Sequence, residues 1–471
     1  MQQAINIFIE ETSERLDLYP DESMEVNMGG ISLLNLADRT ATYTNSFKLP
    51  RTPINDKVFG FYSRAASTTI PTDIPVIIKA GLYQQSSILR GVEYDKDYKV
   101  KSSSSGLFDL MKNITVDSLF PWGYQYTNQF DTYEELLDYV FDNPFYYPLY
   151  TKQTGELNLN NATVFVSIKD VIDKVCSHYG YTAEIDSYFN FENDYYYKRF
   201  KMQFSRTNIY DLSDVIIGEY WKTIVYDFYN TDENLKVSDV LKAICQTYLA
   251  YIVIDENQKK IKFNSVYSKI QNSNPIQIET LSEPKKTQET GYQNINRINY
   301  ELDSTIEKNF GGGFFTDATK NGEKEILKIS AYVPAAFMIG GRKIYDVLTA
   351  PAQKLIIATK SSDTLLRTYR LDYNNEINGE PGNYETESLY FTQDVYDMAI
   401  VDLSSVYNPI LNPIFSNPVI LNTDGYIDRL TADNIMNDRV ILSVKLGGRY
   451  WVDDMKYNLT TGKAVLKLIK L

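Results

Sequence analysis

The feature that most constrains this chain is a helix-then-strand pattern that occurs twice. Residues 166–186 read VSIKDVIDKVCSHYGYTAEID, and residues 236–255 read KVSDVLKAICQTYLAYIVID. The second copy aligns without a gap over the seventeen positions 170–186, and six pairs are identical: Asp170/Asp239, Val171/Val240, Cys176/Cys245, Tyr179/Tyr248, Ile185/Ile254 and Asp186/Asp255. The pattern predicts two copies of a small α+β unit. The alternative is that two ordinary helix–strand segments match by chance.

Each copy has the apolar spacing of a helix that buries one face. The matching residues of the two faces are Val171, Cys176, Tyr179, Val240, Cys245 and Tyr248. Ser167 is placed to cap the first helix and Ser238 the second, and Gly180 is placed to end the first. Both cysteines then pack against the following strand, which favours a structural role over a redox role.

The chain has 471 residues, which at about 150 residues per domain predicts roughly three domains. Residues 1–118 are rich in strand patterns, 119–283 contain the two copies, and 284–471 are rich in strands again. The last forty residues alternate between apolar and polar, with turns at Gly447-Gly448 and at Gly462, which predicts a three-stranded meander. The prolines of the segment from Tyr407 to Pro418 predict a connector. The predicted class is α+β and β-rich, with antiparallel barrel-like parts at both ends of a central α+β region.

Charge and composition exclude several classes of protein. The net charge is −14 and the pI about 4.8. A general DNA binder needs clustered Lys and Arg to neutralise phosphates, and the sequence contains no such run, so this class does not fit. The sequence contains 39 tyrosines, a residue type that suits protein interfaces because its ring is apolar and its hydroxyl polar. No stretch reaches the ~20 apolar residues that span a bilayer, and the N-terminus lacks the pattern of a signal peptide.

The residues of catalysis and metal binding are scarce. The chain has two cysteines and one histidine, His178, too few for a disulfide framework, a Cys/His zinc site or a catalytic triad. Two carboxylates could hydrolyse a glycoside without histidine, but no such pair stands out. We therefore predict no catalytic, cofactor-binding or metal-binding residues, and no cofactor.

Two segments carry a resemblance to a known family. The first, TYTNSFKLPRTPINDKVFGFYS at 42–63, contains Phe47, Leu49, Pro50 and Gly60. The second, GGRYWVDDMKYNLTTGKAVLKLIKL at 447–471, contains Gly447, Gly448 and Gly462. Both resemble segments of tail proteins from phages of gut Bacteroidales, including crAss-like phages. The first helix–strand copy is also similar to a segment of phage tail hub proteins.

The resemblance implies a virion structural protein, a tail hub with tube-like β-barrel domains and α+β domains between or after them. Such a hub is part of a ring, trimeric or six-fold, around the DNA-ejection channel, and joins the tail tube or nozzle to fibres or a spike. Its expected location is the virion tail, after assembly in the host cytoplasm, with DNA passing through unbound and no membrane insertion. The competing interpretation is a glycan- or receptor-binding adhesin.

Overall fold

The coordinates are those of a computed structural model of the chain. The structure describes residues 5–20, 22–27, 30–36, 39–40, 43–64, 67, 73–80, 83–103, 111, 114–115, 119, 128–130, 146–150, 157–189, 191, 194–210, 216–227, 236–255, 258–271, 274–287, 292–302, 311–315, 322–333, 336–339, 342–345, 355–369 and 391–471. For the strands at 39–40, 128–130, 146–150, 157–167, 194–210, 216–227, 311–315, 336–339, 342–345 and 391–399, and for most of 356–369, only the backbone is described.

The described helices are α1 (Pro53–Val58), α2 (Ile168–His178), α3 (Val237–Thr247), α4 (Val266–Gln271), α5 (Leu403–Phe415) and α6 (Arg429–Asp438). The strands of the first half are β1 (Ile5–Ile9), β2 (Glu25–Asn27), β3 (Gly30–Ile31), β4 (Arg39–Thr40), β5 (Tyr43–Thr44), β6 (Phe47–Leu49), β7 (Ile74–Ala80), β8 (Tyr83–Tyr94), β9 (Tyr98–Ser103), β10 (Asn128–Phe130), β11 (Tyr146–Tyr150), β12 (Leu157–Ser167), β13 (Thr182–Ile185), β14 (Asp194–Tyr210) and β15 (Ile216–Asp227). Those of the second half are β16 (Ala250–Asp255), β17 (Lys260–Ser265), β18 (Ile276–Gln277), β19 (Lys285–Thr287), β20 (Ile295–Leu302), β21 (Gly311–Phe315), β22 (Glu323–Val333), β23 (Ala336–Ile339), β24 (Arg342–Tyr345), β25 (Ile356–Tyr369), β26 (Phe391–Ile400), β27 (Ile420–Tyr426), β28 (Val440–Ser443), β29 (Gly448–Asn458) and β30 (Lys463–Lys470).

The predicted class, α+β with a predominance of strands, is confirmed. Strands from both ends of the chain share one sheet of 13 strands, whose main path is β1-β7-β8-β9-β5-β2-β29-β30-β27-β19. The join is the antiparallel pairing of β2 with β29, in which Val26 lies opposite Tyr457. The strands predicted as two barrel-like parts are thus hydrogen-bonded into a single sheet, and the division at 118 and 283 stays a prediction.

The C-terminal strands β28, β29 and β30 are antiparallel neighbours, and the middle of β29 is buried on both faces. Tyr450 and Val452 belong to the hydrophobic core shared with the N-terminal strands. Trp451 belongs to a second core that contains the two repeated helices. Because the sheet is covered on both sides here, the apolar–polar alternation of the sequence breaks down in the middle of β29.

The two helix–strand copies form one compact layer pair, called here the repeated unit (α2, β13, α3, β16 and β17). Strand β17 lies between β13, to which it is parallel, and β16, to which it is antiparallel. Helix α2 packs on β13, helix α3 packs on β16, and the two helices contact each other. All six predicted face residues lie in or against the same hydrophobic core.

The first helix of the repeated unit, α2, is terminated by a motif centred on Gly180, two residues after His178. Gly180 has φ +74°, the left-handed conformation that glycine adopts without strain. Its N–H donates to the oxygen of Ser177 at 3.1 Å, and the N–H of Tyr181 donates to the oxygen of Cys176 at 2.9 Å. These two bonds are a Schellman motif and satisfy carbonyls that the helix end leaves open.

The second helix begins differently from the prediction and ends differently from the first helix. The predicted cap, Ser238, is wrong: the helix begins after Lys236, whose side chain makes no capping bond. Leu249 occupies the place of Gly180, and it also has a left-handed backbone, with φ +48°. Leu249 is fully buried, so apolar burial offsets the ~1–2 kcal/mol cost of this conformation. The side chain of Ser167, the predicted first cap, lies outside the described part.

The predicted connector around the prolines is wrong, because the segment is helix α5. Pro409 and Pro413 lie inside this helix, and each interior proline costs ~3 kcal/mol. The helix buries Leu403, Tyr407, Ile410, Leu411, Ile414 and Phe415, a gain of about 1.5–3 kcal/mol for each side chain. Burial therefore outweighs the local preference. Asp402 caps the first turn by accepting from the N–H of Ser404 at 2.9 Å.

Candidate functional site: a buried joint between the repeated unit and the two ends of the chain

The described residues converge at one buried place, called here the joint: Ser32, Leu33, Tyr251, Arg439, Trp451 and Asp453. It brings together the N-terminal segment, the repeated unit and the C-terminal sheet.

Arg439 lies at the centre of the joint. It follows α6 with φ 57°, a strained conformation for a residue other than glycine. Its guanidinium donates through Nη1 to the backbone oxygen of Ile31 at 2.8 Å. The guanidinium carbon lies 5.3 Å from the ring centroid of Tyr251 and 5.9 Å from that of Trp451. One cation thus contacts a residue from each of three distant parts of the chain.

Asp453 is aimed into the joint by an irregularity of β29. The register with β30 shifts between Val452 and Asp454, so Asp453 is the extra residue of a bulge, a feature that turns a side chain out of the alternation. Asp453 is only 6% exposed. Its Oδ1 accepts from the N–H of Leu33 at 2.6 Å, and its Oδ2 accepts from the hydroxyl of Ser32 at 2.8 Å. Burial raises the pKa of the Asp453 carboxyl, against the lowering effect of the Ser32 hydroxyl and the Leu33 amide.

The repeated unit and the adjoining helix α4 are each attached to the end of α6 by one further bond. The hydroxyl of Tyr251 donates to the backbone oxygen of Asn437 at 2.5 Å, and Lys269 Nζ lies 2.5 Å from Asp438 Oδ1. Burial raises the pKa of Tyr251, so its hydroxyl keeps the proton it donates. Partly buried ion pairs with a hydrogen bond hold geometry better than exposed ones, and these contacts fix how the unit lies on the sheet.

The joint connects separate parts of the chain through buried hydrogen bonds, which is a structural role.

The titratable side chains of α2 are not part of the joint. Burial, with a smaller contribution from the Asp173 carboxylate, raises the pKa of the Cys176 thiol to about 12, so this thiol is not a nucleophile at neutral pH. His178 lies on the exposed side of α2, edge-on to Tyr179. Within the described ranges, no three His, Cys, Asp or Glu side chains are grouped to hold a metal ion. Also within those ranges, no helix is long and apolar enough to cross a membrane.

Two of the four residues named for the first resemblance segment lie in the N-terminal core. Phe47 and Leu49 are buried in β6, which pairs with β9, and Pro50 follows them. Gly60 comes after α1 with φ 59°. The segment is locked by Asn55, which is fully buried and whose Nδ2 donates to the backbone oxygen of Pro50 at 2.8 Å.

The glycines of the second segment lie at the turns of the C-terminal strands. Gly447 and Gly462 have φ of +73° and +75°, values that favour glycine. Gly448 is the first residue of β29. A Cβ at Gly462 would lie 3.2 Å from the backbone oxygen of Ile427, so this turn also needs the small residue for space.

Sequence reasoning did not identify the joint. The available signal was the pair of aspartates in the middle of an otherwise apolar strand, at Asp453 and Asp454. Such an interruption is typical of a bulge. Nothing near Arg439 in the sequence marks it as buried, since arginine is among the residues least often buried.

Comparisons with known proteins add distant likenesses. No protein-family model matches the chain, and no curated relative is detected by sequence. The crystal structure of the prophage MuSo2 43 kDa tail protein from Shewanella oneidensis has 7% identity and a TM-score of 0.39, covering 100% of this chain and 98% of that one. The prophage tail protein gp18 from Listeria monocytogenes EGD-e has 9% identity and a TM-score of 0.37, covering 99% and 94%. Both likenesses are too distant to carry an argument about function.

Proposed function

We propose that this chain is a structural subunit of a bacteriophage tail, a hub that forms part of a ring around the DNA-ejection channel. The observation that carries the proposal is the position of the two segments that resemble phage tail proteins. Val26 of β2 pairs with Thr44 of the first segment on one side and with Tyr457 of the second on the other. The two matches, about 400 residues apart in the chain, are thus separated in space by a single strand, ~10 Å at the usual strand spacing.

The joint supports the same role. A ring subunit must keep a fixed shape while its neighbours press on it. Arg439 and Asp453 tie the two chain ends to each other with buried polar bonds, and the hydroxyl of Tyr251 ties the repeated unit to α6. Buried hydrogen-bonded groups specify one geometry because any other arrangement leaves them unpaired. The joint is therefore suited to holding the repeated unit and the two chain ends in one fixed arrangement.

The proposed partners are copies of the chain in a trimeric or six-fold ring, and the tube, nozzle, fibre or spike proteins of the tail. DNA would pass without being held, consistent with a net charge of −14 that repels phosphates. The proposed location is the virion tail, with assembly in the cytoplasm of the host bacterium and no membrane insertion by this chain.

The experiment is imaging of the purified full chain by electron microscopy together with immunogold labelling of phage particles. The expected results are closed rings with three-fold or six-fold symmetry and gold at the tail. A chain that remains monomeric at high concentration, with no label on particles, would reject the proposal.

A glycan- or receptor-binding adhesin is the second candidate, and one observation favours it. Tyr188, which follows β13, is 47% exposed, and its ring centroid lies 5.0 Å from that of the half-buried Tyr267 of α4. An exposed aromatic ring can stack on a sugar ring. Binding of host polysaccharide that is lost in Tyr188→Ala, with the Tyr62→Ala variant as control, would support this candidate over the hub.

A further inference from the structure

We infer that one face of the large sheet is the surface that binds a second copy of this chain, through contact between its lysines and the acidic surface of the neighbour. This inference rests on the proposed function and assigns the ring contact within it. The surface, called here the open face, consists of Tyr43, Lys101, Tyr426, Lys456, Lys463 and Val465.

The register of the strands places these residues on one side of the sheet. Tyr43 lies opposite Asn27, Asn27 opposite Lys456, and Lys456 opposite Val465. Val465 in turn lies opposite Asp424. Directly opposite residues point to the same side, and so do residues two positions apart along a strand. Tyr426, two positions after Asp424, and Lys463, two positions before Val465, therefore lie on the same side. Tyr43 also lies opposite Ser103, so Lys101, two positions before Ser103, lies there too.

The reverse side of these strands is core. Val26, Thr44 and Tyr457 alternate with the open-face residues and are each at most 3% exposed. At the other end of β30, the side that carries Val465 is covered by the repeated unit, because Ile469 lies in the core with the repeated helices. The open face is therefore the uncovered continuation of a surface that the chain buries elsewhere.

Apolar groups are exposed there. Tyr43 is 43% exposed, Val465 46% and Tyr426 66%. They are three of the eight large hydrophobic residues that are exposed among the described residues. Exposed apolar groups gathered on one rigid sheet, with tyrosine among them, are typical of a surface that binds protein.

Three lysines lie on the open face, beside the carboxylates of Glu25 and Asp424. Lys101, Lys456 and Lys463 are exposed. Lys463 Nζ lies 3.3 Å from Asp424 Oδ2 on the same side, whereas Lys101 and Lys456 make no ion pair within the described part of the chain. The whole chain carries −14, so removing Lys101 and Lys456 leaves −16 on the remainder. A positive face on an acidic molecule is complementary to another part of the same molecule, which steers copies into a head-to-tail contact. Such a heterologous contact generates a ring when its rotation closes.

A second copy fits the surface better than nucleic acid does. Lysines alone would suit a phosphate backbone, but Val465 and Tyr426 lie between and beside them, and an aliphatic side chain gains nothing from a phosphate. The lysines flank an apolar centre, as charged residues do at the rim of a protein interface.

The test uses the full chain, prepared with natural and with ¹⁵N isotopes and mixed. Carbodiimide cross-linking, which joins a lysine amine directly to a carboxylate, is followed by mass spectrometry of mixed-isotope peptides. We expect cross-links between copies from Lys101 and Lys456 in excess over those from Lys174 and Lys242, which are exposed on α2 and α3.

The matched variants are Lys101→Glu/Lys456→Glu on the open face and Lys174→Glu/Lys242→Glu on the repeated helices. In sedimentation velocity, we expect the first pair to weaken self-association by about tenfold or more, because like charges then face each other. The second pair should associate as the wild type does. Thermal unfolding of both variants verifies that they fold, since neither reversal breaks an ion pair of the described residues.

The outcomes separate this inference from the proposed function. If rings form but the open-face variant assembles like the wild type, the contact is elsewhere and the inference fails while the tail role stands. If double-stranded DNA, and not a second copy, protects Lys101 and Lys456 from modification, the surface is a nucleic-acid site and the inference also fails. If the wild type forms no ring and labels no tail, both fail.

Discussion

Asp453 accepts a hydrogen bond from the backbone N–H of Leu33 at 2.6 Å across 420 positions of sequence. The bond ties the bulge of a C-terminal strand to a loop near the N-terminus, and it is buried. Because a buried N–H needs a partner, and this partner lies near the other end of the chain, the bond couples the folding of the two chain ends.

Asp453→Ala is expected to lower the free energy of unfolding by about 1–3 kcal/mol, because it leaves a buried N–H unpaired. Asp453→Asn keeps an acceptor for Leu33 and should stay close to the wild type at acid pH, where the wild-type carboxyl is also uncharged. Urea unfolding of the two variants gives the comparison. Equal stability of the alanine variant and the wild type would contradict the role of this bond.

The difference in stability between the wild type and Asp453→Asn should depend on pH. Burial raises the pKa of Asp453 in the folded state, so its contribution to stability is present at low pH and is lost as pH rises through the folded pKa. Asp453→Asn does not titrate. Its stability relative to the wild type should therefore increase from acid toward neutral pH, and a constant difference over that range would argue against the assignment.

Asp56 should show the opposite sign. Burial acts to raise its pKa, but hydrogen bonds from Tyr98 at 2.5 Å and Ser63 at 2.7 Å, with the Arg51 guanidinium, outweigh burial and lower it. Its contribution is thus present above the ordinary carboxyl pKa and is lost as pH falls through the lowered pKa. Asp56→Asn should cost about 1–2 kcal/mol at neutral pH, since bonds to a charged acceptor are stronger.

Measurements at acid pH test the predicted sign for Asp56. The wild type and Asp56→Asn should converge in stability as pH falls, measured by thermal or urea unfolding at several pH values. Stabilities that diverge toward low pH would contradict the predicted direction.

Gly180 and Leu249 are the two positions of the repeated unit with a left-handed backbone. At Leu249 we expect glycine to be less destabilising than alanine, the reverse of the usual order. Gly180→Ala should cost ~1 kcal/mol, from the backbone alone, because no atom lies within 4 Å of an added Cβ. Leu249→Ala should cost about 2–5 kcal/mol, from the lost burial. Leu249→Gly should cost less than Leu249→Ala, because glycine relieves the strain at φ +48°. The usual order, with glycine the worse, would show that the conformation carries no strain.

The two cysteines should be unreactive in the folded chain. Cys176 and Cys245 are 1% and 4% exposed, and a buried thiol reacts slowly. Mass spectrometry after treatment with iodoacetamide should find no modified thiol in the native chain and two in denaturant. Rapid modification of one thiol in the native chain would show that a repeated helix opens locally.

Much of the repeated unit follows from local patterns. The apolar spacing places α2 and α3, and Gly180 marks a helix end where the structure has a Schellman motif. The alternation near the C-terminus predicts strands, and the structure has β28, β29 and β30 there. These predictions rest on contacts within a few residues, which sequence reasoning can assess directly.

Helix α5 shows where local patterns fail. Pro409 and Pro413 predict an interruption, yet Tyr407, Ile410 and Leu411 are buried on one face of a continuous helix. The residues that stabilise it come from β21 and the repeated unit, which are distant in sequence. Tertiary burial decided this element against its propensity.

By itself, the sequence determined the class of the fold, the repeated helix–strand unit and the buried character of its cysteines, because these depend on periodicity and side-chain type. Only the tertiary structure decided that β2 pairs with β29, that Arg439 lies between Tyr251 and Trp451, and that lysines gather on one face of the sheet. Strand order and the meeting of buried polar groups depend on contacts across hundreds of residues, and no local pattern encodes which distant partner completes them.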